Sequence, residues 1–123
     1  MMKIVFSGPN AATFEPGLSG QLEIPHEITI VSDAADGPGE AEALATADVV
    51  VGVQYAGNGV QAARLFQLPA AGYDKVDLDA LPAGCAVCNA FGHENAIAEY
   101  VMAALLARHV PLADADARLR RGD

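Results

Sequence analysis

A chain of 123 residues, 52% apolar and 19% charged, suits one domain with a real hydrophobic core. Seven basic against sixteen acidic residues leave a net charge of −9, a field that repels polyanions and excludes nucleic acid as a partner. Two cysteines are too few for a disulfide scaffold, no apolar run reaches transmembrane length, and Met1-Met2-Lys3 leads into "IVFSG" without a signal-peptide core, so a soluble cytoplasmic protein with reduced thiols and no membrane partner is expected.

The first predicted element is a strand, "KIVFSG", at residues 3–8. Pro16, Gly17 and Gly20 then allow only a short helix. "EITIVSD", residues 27–33, is rich in β-branched side chains and reads as a second strand. "EAEALATA", residues 40–47, is a helix with acids in its first turn. "DVVVGVQ", residues 48–54, is a continuous apolar strand of the kind a parallel sheet buries on both faces. "VQAARL", from Val60, reads as a short helix, and "FQLPAAG" as a fourth strand entering a glycine turn. Asp77 is placed to cap the helical turn "LDAL". "GCAVCNA" is a fifth strand, and residues 94–108 are strongly helical, with Pro111 kinking or restarting that helix before "LADADARLRR" continues it. The alternation predicts an α/β fold, a doubly wound parallel sheet of about five strands. Ligands of such sheets sit at the carboxyl ends of the strands, which directs attention to Ser7-Gly8, Gln54-Tyr55, residues 69–72 and residues 89–92.

Cys85 and Cys88 have the spacing of a redox dithiol. They lie in a strand, however, where residues three apart point to opposite faces, and no second pair completes a zinc site. Two packed core thiols are expected, and no metal. His93-Glu94 opens like a zinc-protease motif, but Ile97 stands where the second histidine is needed. No GxGxxG or GxxxxGK[ST] loop occurs in the 123 residues. In "LPAAGYD", residues 68–74, small side chains leave backbone N–H groups open to an anion, although a plain tight turn accounts for the same residues. From Asn95 to Ala107 the predicted helix is apolar nearly all round, interrupted by Glu99. A helix with no solvated face requires a partner surface: another domain, another subunit, or both.

Residues 68–107 resemble the D-isomer-specific 2-hydroxyacid dehydrogenases. The shared pattern is Gly72-Tyr-Asp74-Lys-Val76-Asp77, then a strand ending Val87-Cys-Asn89, then Ile97-Ala98-Glu99 on a helix. The resemblance implies a flavodoxin-like substrate-binding domain over residues 1–93. It implies a long crossover helix over residues 94–123, between domains and in a homodimer interface through residues 95–121. Ala70, Ala71 and Gly72 would offer the turn that binds the carboxylate of a small 2-keto or 2-hydroxy acid, and Tyr55 would face the same cleft. Ala71 and Asn95 would lie near the nicotinamide of NAD or NADP. Asn89, Phe91, Gly92 and His93 would form the hinge.

The family's catalytic arginine, glutamate and histidine, and its dinucleotide loop, belong to a second, NAD(P)-binding domain. None of them falls within this sequence; His26, His93, His109, Arg64 and Arg108 stand in the wrong motifs. The expectation is the substrate domain of an NAD(P)-dependent D-2-hydroxyacid dehydrogenase, truncated before its Rossmann domain and inactive as a 123-residue chain. The alternative is a stand-alone flavodoxin-like binding or assembly module without catalysis. A phospho-receiver fits poorly, because the third strand ends Val53-Gln54 without an acceptor aspartate. An FMN flavodoxin fits poorly too, because "SGPNAAT" is a weak phosphate loop and the chain has no tryptophan.

Overall fold

The computed structural model describes residues 1–57 and 59–123, which divide into two compact units, Met1–Ala90 and Phe91–Asp123. The first unit is built on β1 (Met2–Ser7), β2 (His26–Val31), β3 (Val49–Gly52), β4 (Leu65–Gln67) and β5 (Ala86–Cys88). All pairings are parallel, in the order β2-β1-β3-β4-β5. Helices α1 (Gly8–Ala12) and α2 (Glu15–Ser19) follow β1, and α3 (Glu40–Thr46) precedes β3.

The apolar runs at Ile4-Val5-Phe6 and Val50-Val51 become the centre of this sheet because successive strand residues point to opposite faces, and both faces are covered. On one face Val5, Val31, Val50, Phe66 and Leu68 pack with Leu44 of α3 and with Val60, Ala63 and Val76 from the loops. On the other, Ile4, Phe6 and Val51 pack against Ala11 of α1 and Leu18. Phe6 and Phe66 are fully buried, each burial contributing roughly 1.5–3 kcal/mol. The sheet is therefore doubly wound, as its sequence pattern predicts.

One predicted element comes out differently. "VQAARL" is not helical. Arg64 and Leu65 both donate their N–H to the Asp48 carbonyl, so the chain is already joining the sheet there, and too few residues remain to close an α-helical turn. At Pro111 the helix breaks and restarts as predicted, giving α4 (Glu94–His109) and α5 (Leu112–Arg121), bent by 46°. Proline supplies no N–H and drives Val110 into extended backbone, φ −121° and ψ 94°. Asp77 caps as expected: its carboxylate accepts from the Asp79 N–H at 3.2 Å and starts a 3-10 turn, Leu78–Ala80.

The second unit consists of α4 and α5. Alanine-rich sequence favours α4, Glu94 lies in its first turn, and Arg108 and His109 lie in its last, all matching the helix dipole. Its apolar side chains, among them Tyr100, Met102, Leu105 and Leu106, are exposed. Among the described residues no single helix is long and apolar enough to cross a membrane.

Candidate functional site

The turn after β4 is fixed from two sides. The sheet pairing runs past β4 as Leu68 donates its N–H to the Cys88 carbonyl at 2.7 Å, and Ala90 donates to the Ala70 carbonyl at 3.1 Å. Between them the Asn89 side-chain amide donates to the Ala71 carbonyl at 2.9 Å. From the β3 side, Tyr55 bridges to Val76: its N–H donates to the Lys75 carbonyl at 2.9 Å, and its carbonyl accepts from the Asp77 N–H at 2.8 Å. Ala71 and Gly72 are exposed, and among the described residues their N–H groups donate to no acceptor. Two open N–H groups on a braced turn suit a carboxylate or phosphate oxygen. The Asp74 carboxylate lies beside Gly72 and opposes a bound anion.

Tyr55 is a core residue as well as a strand-end residue. It is 9% exposed and tilts against Phe66, with ring centroids 5.9 Å apart. It also borders a cavity of about 350 Å³ at the ends of β1, β2 and β3. The carboxyl-end positions thus separate into two places. Ser7 and Gln54 line the cavity with Tyr55, whereas residues 70–72 and Asn89 meet at the turn.

The two units divide at Ala90 and Phe91. Phe91 is 78% exposed, and Gly92 has φ +89°, a left-handed conformation that favours glycine. His93 precedes α4 without a side-chain capping bond, and Asn95 lies exposed in its first turn.

Of the two cysteines, Cys85 packs on the core, where burial pushes its thiol pKa up. Cys88 is exposed, contrary to the expectation of two core thiols. It lies on the edge strand β5, whose residues are all exposed. No cluster of three or more metal-ligating side chains occurs among the described residues.

The residues missed by sequence reasoning are Asp33, Lys75 and Glu40. Asp33 and Lys75 line the strand-end cavity. The Glu40 carboxylate accepts from the Ser32 hydroxyl at 2.6 Å and from the Ser32 and Gly37 N–H groups at 3.1 Å each. Those bonds, the Ser32 hydroxyl first, hold its pKa below the ordinary glutamate value.

No protein-family model matches the chain, and no curated protein matches it. It is similar to a solved structure from the identification of the pyruvate reductase of Chlamydomonas reinhardtii, with a TM-score of 0.55 and 21% identity. The similarity covers 99% of this chain and 39% of that one, so the chain spans about two fifths of that protein's length. What is shared at this identity is the α/β fold.

Proposed function

We propose that residues 1–90 are the substrate-binding domain of an NAD(P)-dependent oxidoreductase that interconverts 2-keto acids and D-2-hydroxy acids. The observation carrying this reading is the braced turn at Ala71-Gly72, with two exposed N–H groups open to a substrate carboxylate at the carboxyl end of β4. The family pattern of residues 68–107 supports it, as does likeness in fold to a structure from work on a pyruvate reductase. In this reading Ala70, Ala71, Gly72 and Tyr55 border the substrate, and residues 89–93 form the hinge. Ala71 lies on the cofactor side of the substrate, and the cofactor is NAD or NADP. The 123 residues hold no glycine-rich dinucleotide loop, so the cofactor and the proton donor are supplied from outside them. The exposed apolar faces of α4 and α5 pair in a homodimer.

The pure chain is expected not to oxidise NADH with pyruvate, glyoxylate or hydroxypyruvate; turnover would refute the division of labour. Titrating pyruvate into ¹⁵N-labelled chain should move the Ala71 and Gly72 amides. An unmoved turn at tens of millimolar, roughly the limit for so small a contact set, overturns the assignment. A reading frame continuing into a strand, a GxGxxG loop and a helix supports the enzyme, whereas a stop codon after codon 123 favours the non-catalytic module. A monomer at high concentration by light scattering rejects the dimer.

A further inference from the structure

The cavity at the ends of β1, β2 and β3 shares Tyr55 with the proposed substrate site, but residues 70–72 do not line it. Its place is physically meaningful. With strand order β2-β1-β3-β4-β5, the chain winds one way from β1 to β2 and the other way from β3 onward. The loops after β1 and β3 therefore part, and an open sheet takes its ligand in the crevice this creates. At about 350 Å³ the cavity is near the small end of the ligand-pocket range, ~300–1,000 Å³.

Its apolar lining includes Leu44, Val50 and Phe66, and its polar lining includes one acid, Asp33, one base, Lys75, and the neutral hydrogen-bonding groups of Ser7 and Gln54. Among the described residues neither Asp33 nor Lys75 forms an ion pair. The acid lies on a constrained loop. Asp33 is seated against Gly8, where a side chain would overlap its carboxylate. The loop after it is pinned by the three bonds to Glu40, and Ala35, on the cavity wall, adopts φ +50°, a conformation rare for a residue with a side chain. A rim with one negative and one positive group over an apolar floor complements a molecule with an ammonium, a carboxylate and an apolar body.

We propose that this cavity binds a free apolar α-amino acid of valine to leucine size, its ammonium on Asp33, its carboxylate on Lys75 and its side chain on Phe66 and Leu44. The test is a titration of the ¹⁵N-labelled 123-residue chain with L-leucine, followed by amide shifts. Saturable shifts at Asp33, Ala35, Gln54 and Lys75, with Ala71 and Gly72 unmoved, are expected. 4-Methylpentanoate, which lacks the ammonium, and isopentylamine, which lacks the carboxylate, should each bind at least about tenfold more weakly, the loss of one charge-assisted contact. Asp33→Asn and Lys75→Gln, both at exposed positions, should weaken L-leucine by a similar factor while the dispersed spectrum of the folded chain persists. Equal binding of the three compounds, no saturable shift, or shifts confined to Ala71-Gly72 would each overturn the proposal. The last of these would leave the Ala71-Gly72 turn as the ligand site.

Discussion

Tyr55 has two separable parts, and a pair of substitutions distinguishes them. Its ring is buried against Phe66, at 5.9 Å between centroids, inside the cluster that joins β1, β3, β4 and α3. Tyr55→Ala removes that ring and leaves a void facing Phe66, which should cost about 3–5 kcal/mol, the aromatic contact included. For a unit of this size each kcal/mol lowers Tm by about 4–8 °C, so the expected fall is at least about 12 °C. The hydroxyl is different. Among the described residues it has no hydrogen-bond partner, and no buried polar side-chain atom is left unsatisfied. It therefore reaches solvent, and Tyr55→Phe should change stability by less than about 0.5 kcal/mol. Urea and thermal unfolding followed by far-UV circular dichroism give both numbers, and a 2-keto acid titration gives the functional one. The substrate reading expects Tyr55→Phe to keep its Tm and lose ligand-induced shifts. A Tyr55→Ala protein within about 1 kcal/mol of the parent would refute the packing argument. A Tyr55→Phe protein as unstable as Tyr55→Ala would show that the hydroxyl is structural.

Three further substitutions or modifications follow from named contacts. Asn89→Ala removes the bond to the Ala71 carbonyl and should cost about 1 kcal/mol in urea unfolding, with a larger proportional loss of 2-keto acid shifts at Gly72. Glu40 has a folded pKa below its unfolded one, so its contribution is present above the unfolded carboxylate pKa and disappears as pH falls through the folded value. Glu40→Gln should therefore be less stable than the parent at neutral pH, and acid should close the gap; a gap that widens on acidification contradicts this. Burial raises the Cys85 pKa and so reduces its thiolate at a given pH, while Cys88 is exposed. Mass spectrometry after brief iodoacetamide treatment at pH 8 should find Cys88 modified first.

The sheet was legible because its central strands are written in continuous apolar runs. Ile4-Val5-Phe6 and Val49-Val50-Val51 have no polar residue to place on a wet face, so a two-sided parallel sheet is the fold that buries them. The Asp77 cap was equally local. "VQAARL" misled because Val60 and Ala63, three apart and both buried, imitate one face of a helix while the chain between them is irregular. Exposure of Cys88 depends on β5 being an edge strand, a fact of strand order rather than of residues 85–88. The candidate sites were half visible. The carboxyl-end rule reached Ser7, Gln54 and the Ala71-Gly72 turn. It did not single out Asp33, which follows β2, or Glu40, whose contacts with Ser32 and Gly37 are set by the turn between them, and Lys75 comes to the cavity only when the chain after β4 folds back beside Tyr55.

The parallel register also governs the order in which this sheet can assemble on the ribosome. Among the described residues no strand pairs with a neighbour across a tight hairpin; β1 pairs at Ile4 with Val49, and β4 pairs at Leu65 with Ala86. The first of these strands in chain order, β1, is an internal one, and it must wait for β2 and β3 to emerge before both flanks are satisfied. Until then "KIVF" is an apolar strand with unpaired edges, a stretch prone to wrong pairing.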